Sequence, residues 1–158
     1  CSSAKTDVIV RLRAREVEGI FPSIHHVIPK PATWSADEGI RASVEAVPLA
    51  AALELAGKVS TEWIKSVCLA VQGRELEVTA KSIETGGSFS EAISAKIDRG
   101  NGKVLSCRGV YLQQAIEGIG GKLVQIEAKD DKTEPIMVTA PGTPERKGWL
   151  AILAPMRK

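Results

Sequence analysis

Little in this 158-residue chain marks an enzyme, a membrane protein or a disulfide scaffold. No apolar run approaches the roughly 18 residues that a membrane-spanning helix needs. No basic-then-apolar leader opens the sequence either. No membrane partner is therefore expected, and a cytoplasmic location is the default. Cysteine occurs three times, at Cys1, Cys68 and Cys107. An odd number at wide spacing argues against both a disulfide framework and a zinc site. Cys68 lies in an apolar run and reads as core. Histidine occurs twice, at His25 and His26, side by side in a proline-bearing connector. Net charge is only +2, from 21 basic and 19 acidic residues. Strong nucleic-acid binders usually carry a larger or more segregated excess, so this balance neither excludes DNA nor predicts tight autonomous binding. No nucleophile elbow, phosphate-cradling loop or dinucleotide fingerprint is present. Gly118, Gly120 and Gly121 follow a predicted helix instead of opening one. Asp130 and Asp131 sit at a predicted hairpin tip, and two adjacent acids at a turn are weak evidence for a metal. No catalytic residue, metal or cofactor is expected.

What is present is patterned. Apolar residues are 44% and charged residues 25% of the chain, the composition of an ordinary soluble domain. This length could bury roughly two thirds of its unfolded surface. Val8, Val10, Leu12 and Ala14 alternate with Ile9, Arg11, Arg13 and Arg15, which predicts a strand over 8–15 with a basic face. Residues 19–38, with Pro22, Pro29 and Pro31, read as a connector. Ile40, Ala42, Val44 and Ala46 share one side of a second strand, over 40–47. Pro48 then suits a helix start, because its missing N–H costs nothing in the first turn. Leu49, Ala52, Leu53 and Ala56 make a core-facing stripe on a helix over 49–58. Gly57 and the β-branched Val59 mark its end. Three strands follow, over 64–71, 75–81 and 88–97.

The same order then recurs. A short strand over 103–107 leads to a helix over 109–119, stopped by Gly120 and Gly121. Strands over 122–129, 135–140 and 149–154 close the chain. The fold class is therefore α+β, a strand–helix–three-strand unit occurring twice. Two helices cannot cover both faces of so many strands. They are expected on one face of antiparallel sheet, leaving Glu75, Glu77, Thr79, Gln125 and Glu127 on a polar outer face. The features that could bind something are the connector IFPSIHHVIP (20–29), Tyr111 and the tail LAPMRK (153–158). The tail either seals the core or lines a groove for a short apolar peptide.

Four segments carry a family resemblance. REVEGIFPSIHHVIPK (15–30), with Arg15, Val17-Glu18-Gly19, Phe21-Pro22 and Pro29, resembles the link between the second and third domains of the bacterial DNA polymerase III beta subunit, the sliding clamp. VYLQQAIEGI (110–119) resembles the start of that family's last helix, PIMVTA (135–140) its penultimate strand, and APMRK (154–158) its Met-Pro-Met-Arg-Leu ending. The similarity covers about 8–158, and the motifs agree in order and rough spacing. It implies that residues 1–29 are the terminal strand and linker of a preceding clamp domain and 30–158 a clamp-like C-terminal domain. Cys1 in place of a starting Met agrees with a fragment or trimmed chain.

The resemblance further implies a role that is topological. Clamp subunits close into a ring around duplex DNA and tether DNA polymerase and other clamp-binding proteins through short peptides. A homo-oligomer would follow. The implied peptide cleft comprises Pro22, His26 and Val27 of the connector, Ile64, Arg108, Tyr111, Pro135, and Leu153, Ala154, Pro155, Met156 and Arg157 of the tail. It would anchor a Leu or Phe side chain, with Arg108 and Arg157 holding polar groups. Lys58 is the one DNA-facing residue implied. Several positions depart from the family. Arg108 stands where Asn is frequent, Ile64 where Phe is, Ala154 where Met is, and Lys158 replaces a terminal Leu. The helices, usually displaying Lys and Arg toward DNA, here offer Lys58 opposed by Glu54, then Gln113, Gln114 and Glu117. Two alternatives stand beside this reading: a clamp-fold structural or regulatory module that does not encircle DNA, and an unrelated enzyme using His25 or His26.

Overall fold

The structure, a computed structural model, describes residues 39–60, 66–129, 135–141 and 150–156. The first unit is β1 (Ile40–Glu45), α1 (Ala46–Val59), β2 (Ser66–Gln72), β3 (Glu75–Lys81) and β4 (Ser88–Arg99). The second is β5 (Val104–Arg108), α2 (Gly109–Ile119), β6 (Leu123–Ala128), β7 (Ile136–Thr139) and β8 (Leu150–Leu153). The expected strand over 8–15, the connector over 19–38 and the division at residue 30 lie outside the described residues.

The eight strands form one antiparallel sheet in the order β5-β2-β3-β4-β1-β6-β7-β8. The two units exchange their first strands. β1 joins the second unit through β6, with Val44 opposite Val124, and β5 joins the first through β2, with Leu69 opposite Leu105. β4 knits the halves together. Its first part, from Ser88 to Ser94, pairs with β3, and its last part, from Ala95 to Arg99, pairs with β1. Gly39 and Gly100 make the close approach at the start of β1 possible. A Cβ on Gly39 (φ 108°) would lie 2.1 Å from the Ala128 carbonyl oxygen. One on Gly100 (φ 93°) would lie 2.8 Å from the Ile40 Cα.

Both helices lie on one face of the sheet and pack against each other, as the alternation and the helical stripes require. Leu49, Leu53 and Ala56 of α1 and Leu112 and Ile116 of α2 meet Leu69, Leu76, Val78, Val124, Ile126 and Val138 from the strands. Each fully buried Leu or Ile contributes roughly 1.5–3 kcal/mol through removal of apolar surface from water.

Three details differ from the sequence expectation. First, α1 begins at Ala46, so Pro48 is its third residue. No side chain caps it; instead the Ala46 N–H donates to the Lys122 carbonyl at 2.9 Å, a tertiary contact that satisfies one of the orphan donors of the first turn. Gly57 lies inside the helix, which ends two residues later at Val59. Second, Cys68 is not a core residue. It points to the face away from the helices, half-buried, with its Sγ 3.3 Å from Ser106 Oγ. The inward positions of β2 are Val67, Leu69 and Val71. Cys107 is the core thiol, and burial, with a smaller contribution from Cys68, pushes its pKa up to about 12.

Third, Glu127 is buried, although it lies on the outer face. Its neighbours in the strand register are Arg41 on β1 and, one strand further, Arg99 on β4. Arg41 Nη2 donates to Glu127 Oε2 at 3.0 Å and Arg99 Nη2 donates to the same oxygen at 3.4 Å. The Gln125 amide donates to the other carboxylate oxygen. Two cations and an amide thus enclose one carboxylate, which satisfies the charge that burial would otherwise penalise.

Candidate functional site

The last part of the chain meets β5 at the corner where β5 runs into α2. β5 alternates, so Leu105 and Cys107 face the core while Ser106 and Arg108 share the outer side. Arg108 is the extended residue just before α2, and Tyr111 lies in the first turn of that helix. Arg108 Nη1 donates to Tyr111 Oη at 3.1 Å, and the guanidinium carbon lies 5.2 Å from the ring centroid. That separation is within cation–π range. Tyr111 stays 48% exposed, so the ring is presented to solvent while its hydroxyl is held.

Beyond β8 the chain reaches β5. The Met156 N–H donates to the Ser106 carbonyl at 2.9 Å. Leu153 is buried in the core, Ala154 is exposed, and Pro155 and Met156 are half-buried. Ile136 pairs with Leu153, so Pro135 stands beside the chain where it leaves β8. The structure therefore gathers Arg108, Tyr111, Pro155 and Met156 around the β5–α2 corner, with Pro135 and Ala154 at the adjoining end of β7 and β8. Pro22, His26, Val27, Ile64 and Arg157 lie outside the described residues.

Ser106 is the residue of this corner that sequence reasoning passes over. Its contribution is a backbone carbonyl, which no side-chain pattern announces. Lys58 is elsewhere, on the exposed side of α1, where it forms an i,i+4 ion pair with Glu54 at 2.8 Å. The hydrogen bond from Lys58, followed by its charge, lowers the Glu54 pKa. Gln113 donates to Glu117 on α2. The outer sides of the helices also expose Val47, Leu55 and Val110. Between them runs a groove of about 200 Å³, lined by Leu53, Glu54, Gly57, Lys58, Val67, Gly109, Val110 and Gln113. The helical face is thus mixed apolar, with Glu54 and Glu117 against the single cation Lys58. Among the described residues, no cluster of three His, Cys, Asp or Glu side chains is placed to hold a metal ion.

Solved structures resemble this architecture. The beta sliding clamp of Caulobacter crescentus, with polyethylene glycol bound to a candidate β-motif tethering region, superposes with a TM-score of 0.74 at 25% identity over 89% of this chain and 35% of that chain. The DNA polymerase III beta subunit of Thermotoga maritima gives 0.75 at 18% identity over 90% and 35%. The sliding clamp of Pseudomonas aeruginosa bound to griselimycin gives 0.74 at 18% identity over 90% and 35%. This chain spans about a third of the length of each. No family model and no curated protein sequence matches it.

Proposed function

We propose that this chain, which has the fold of bacterial DNA sliding clamps over about a third of their length, is a clamp portion that binds short clamp-recognition peptides of DNA polymerases and related proteins. The observation that carries the reading is the β5–α2 corner. The tail bonds to β5 there, and the same corner carries an exposed tyrosine whose hydroxyl is held by an arginine. The exposed aromatic and the tail residues Pro155 and Met156 would supply apolar walls for a Leu or Phe anchor. Arg108 supplies a donor-rich rim. Peptide grooves commonly combine a few apolar walls with a small number of placed polar groups. The work done is tethering: a bound polymerase gains effective concentration at its template without any bond being made or broken. Duplex DNA would be encircled without sequence preference if copies of the chain, or of a longer protein containing it, close a ring.

Titrating the peptide Gln-Leu-Ser-Leu-Phe into the chain tests this reading. Saturable binding that is lost on Tyr111→Ala and on Met156→Ala supports it; no saturable binding by the parent chain refutes it.

A second reading is a clamp-fold binding module that does not encircle DNA. The helical face, with two glutamates and one lysine, favours it, because phosphate binding rests on cations and Lys58 is already paired with Glu54. Mass measurement in solution separates the two. A closed oligomer with a DNA-sized hole supports the ring, and a monomer supports the module.

A further inference from the structure

We propose that Arg108 is a positioning residue that holds the Tyr111 ring ready for a ligand at the β5–α2 corner; the inference rests on the peptide reading above. Arg108 does two things to Tyr111 at once. It donates to the hydroxyl at 3.1 Å, which fixes the far end of the ring. It also places its guanidinium carbon 5.2 Å from the ring centroid, which occupies one side of the π system. A hydroxyl bond alone would leave the ring free to swing about that point, and a stacking contact alone would leave it free to slide. Together they define one orientation of a side chain that is otherwise 48% exposed.

Position 108 suits this task. Arg108 is the last residue of β5 and directly precedes α2, so strand pairing fixes its backbone, with Ser66 opposite it on β2. Tyr111 follows one helical turn later, on a backbone held by the core residue Leu112. The latch therefore joins two rigid segments, and the Met156 N–H bonds to Ser106 on the same strand two residues earlier. A planar guanidinium can stack and donate at the same time, which an ammonium does less well. An aromatic wall that is already oriented spares the ligand the entropy of ordering it.

Tyr111 is the only tyrosine in the chain, so 3-fluorotyrosine labels this ring alone. In the labelled full chain, Arg108→Met should shift the ¹⁹F resonance of the free protein toward that of free fluorotyrosine. It should also weaken binding of Gln-Leu-Ser-Leu-Phe by at least about threefold, because the cost of ordering one more side chain on binding adds to the loss of the Arg108 donors. Arg108→Lys, which keeps the charge and a donor, should recover part of both effects, whereas damage to the fold would not be rescued by it. An unchanged ¹⁹F resonance in Arg108→Met, or peptide affinity equal to or better than that of the parent, overturns the inference while leaving the peptide reading intact. Absence of peptide binding by the parent chain overturns both.

Discussion

Replacing Glu127 by Gln should cost the fold about 2–3 kcal/mol, far more than an ordinary change on the outer face of a sheet. The substitution keeps the side-chain size and removes only the charge. Glu127 Oε2 accepts from both Arg41 and Arg99, which occupy neighbouring strands opposite one another. Breaking a buried ion pair by removing one partner costs roughly 3–5 kcal/mol. That figure must be reduced here, because the Arg41 side chain is 39% exposed and water screens its part of the interaction. The Arg99 side chain is only 14% exposed and retains the full effect. Loss of the carboxylate also leaves two like charges facing each other across the β1–β4 pairing. With a urea m-value of about 2 kcal/mol/M, the midpoint of unfolding should fall by about 1–1.5 M at unchanged m. Glu75→Gln, at an exposed position of β3, is the control and should shift stability by less than about 0.5 kcal/mol. The penalty should persist at about 0.5 M salt, because buried pairs are weakly screened. A Glu127→Gln midpoint within about 0.3 M of the control would refute the reasoning.

Other consequences can be checked alongside. Leu112 is fully buried between α2 and the sheet, so Leu112→Ala should cost about 2–5 kcal/mol by urea denaturation. Gly100→Ala should cost about 2 kcal/mol or more, because the new Cβ meets the Ile40 Cα at a positive φ; the thermal midpoint reads it. In a Cys1→Ser background, a thiol reagent should modify Cys68 in the folded protein and reach Cys107 only on unfolding. The Cys107 pKa rises from 9.0 to about 12 on folding, so its thiol binds its proton more tightly in the folded state. Its contribution to stability is complete below about pH 9 and is lost as pH rises through about 12, a slope that Cys107→Ala should remove from the alkaline side of a stability–pH profile.

Much of the fold is legible in local patterns because each strand here alternates cleanly. β3 occupies the residues that alternation predicts, Glu75 to Lys81, with Leu76, Val78 and Ala80 inward. α2 spans the predicted 109–119, since Gly120 takes the left-handed conformation that ends a helix and returns its N–H to Ile116. The misses share one cause, contacts between residues distant in sequence. The start of α1 is set by a carbonyl from Lys122, so the local proline signal points too late. Alternation puts Glu127 on the outer face correctly, yet its burial depends on the strand order β4-β1-β6 that delivers two arginines to it. In the run Ser66-Val67-Cys68-Leu69-Ala70-Val71, both parities are partly apolar, so the side that Cys68 takes is decided by the neighbours of Val67 and Leu69 in the core. At the corner site, Arg108, Tyr111 and the tail are visible through family resemblance, whereas the backbone bond that brings them together is not.

The repeated unit explains why β5 is tied differently from β1. In an ideal pair of identical units, the last strand of each would extend past its own sheet half and pair with that half's exchanged first strand. The first unit does this fully. β4 runs for 12 residues and pairs with β1 from Ala95 to Arg99, and β6 closes the other edge of β1. The equivalent seam in the second unit would be β8 continuing onto β5. There the strand stops after four residues. Pro155 then follows with no N–H to donate, and among the described residues the backbone contact to β5 is the Met156 bond to Ser106. The same topology therefore yields a sealed ladder in the middle of the sheet, at β1, and, among the described residues, a lightly tied edge at β5. The lightly tied edge is flanked by the first turn of α2, where an aromatic can lean out without disturbing the core. On the peptide reading proposed above, this edge beside a held aromatic is where a short extended peptide would be received, whereas β1 is paired on both sides, with β4 and with β6.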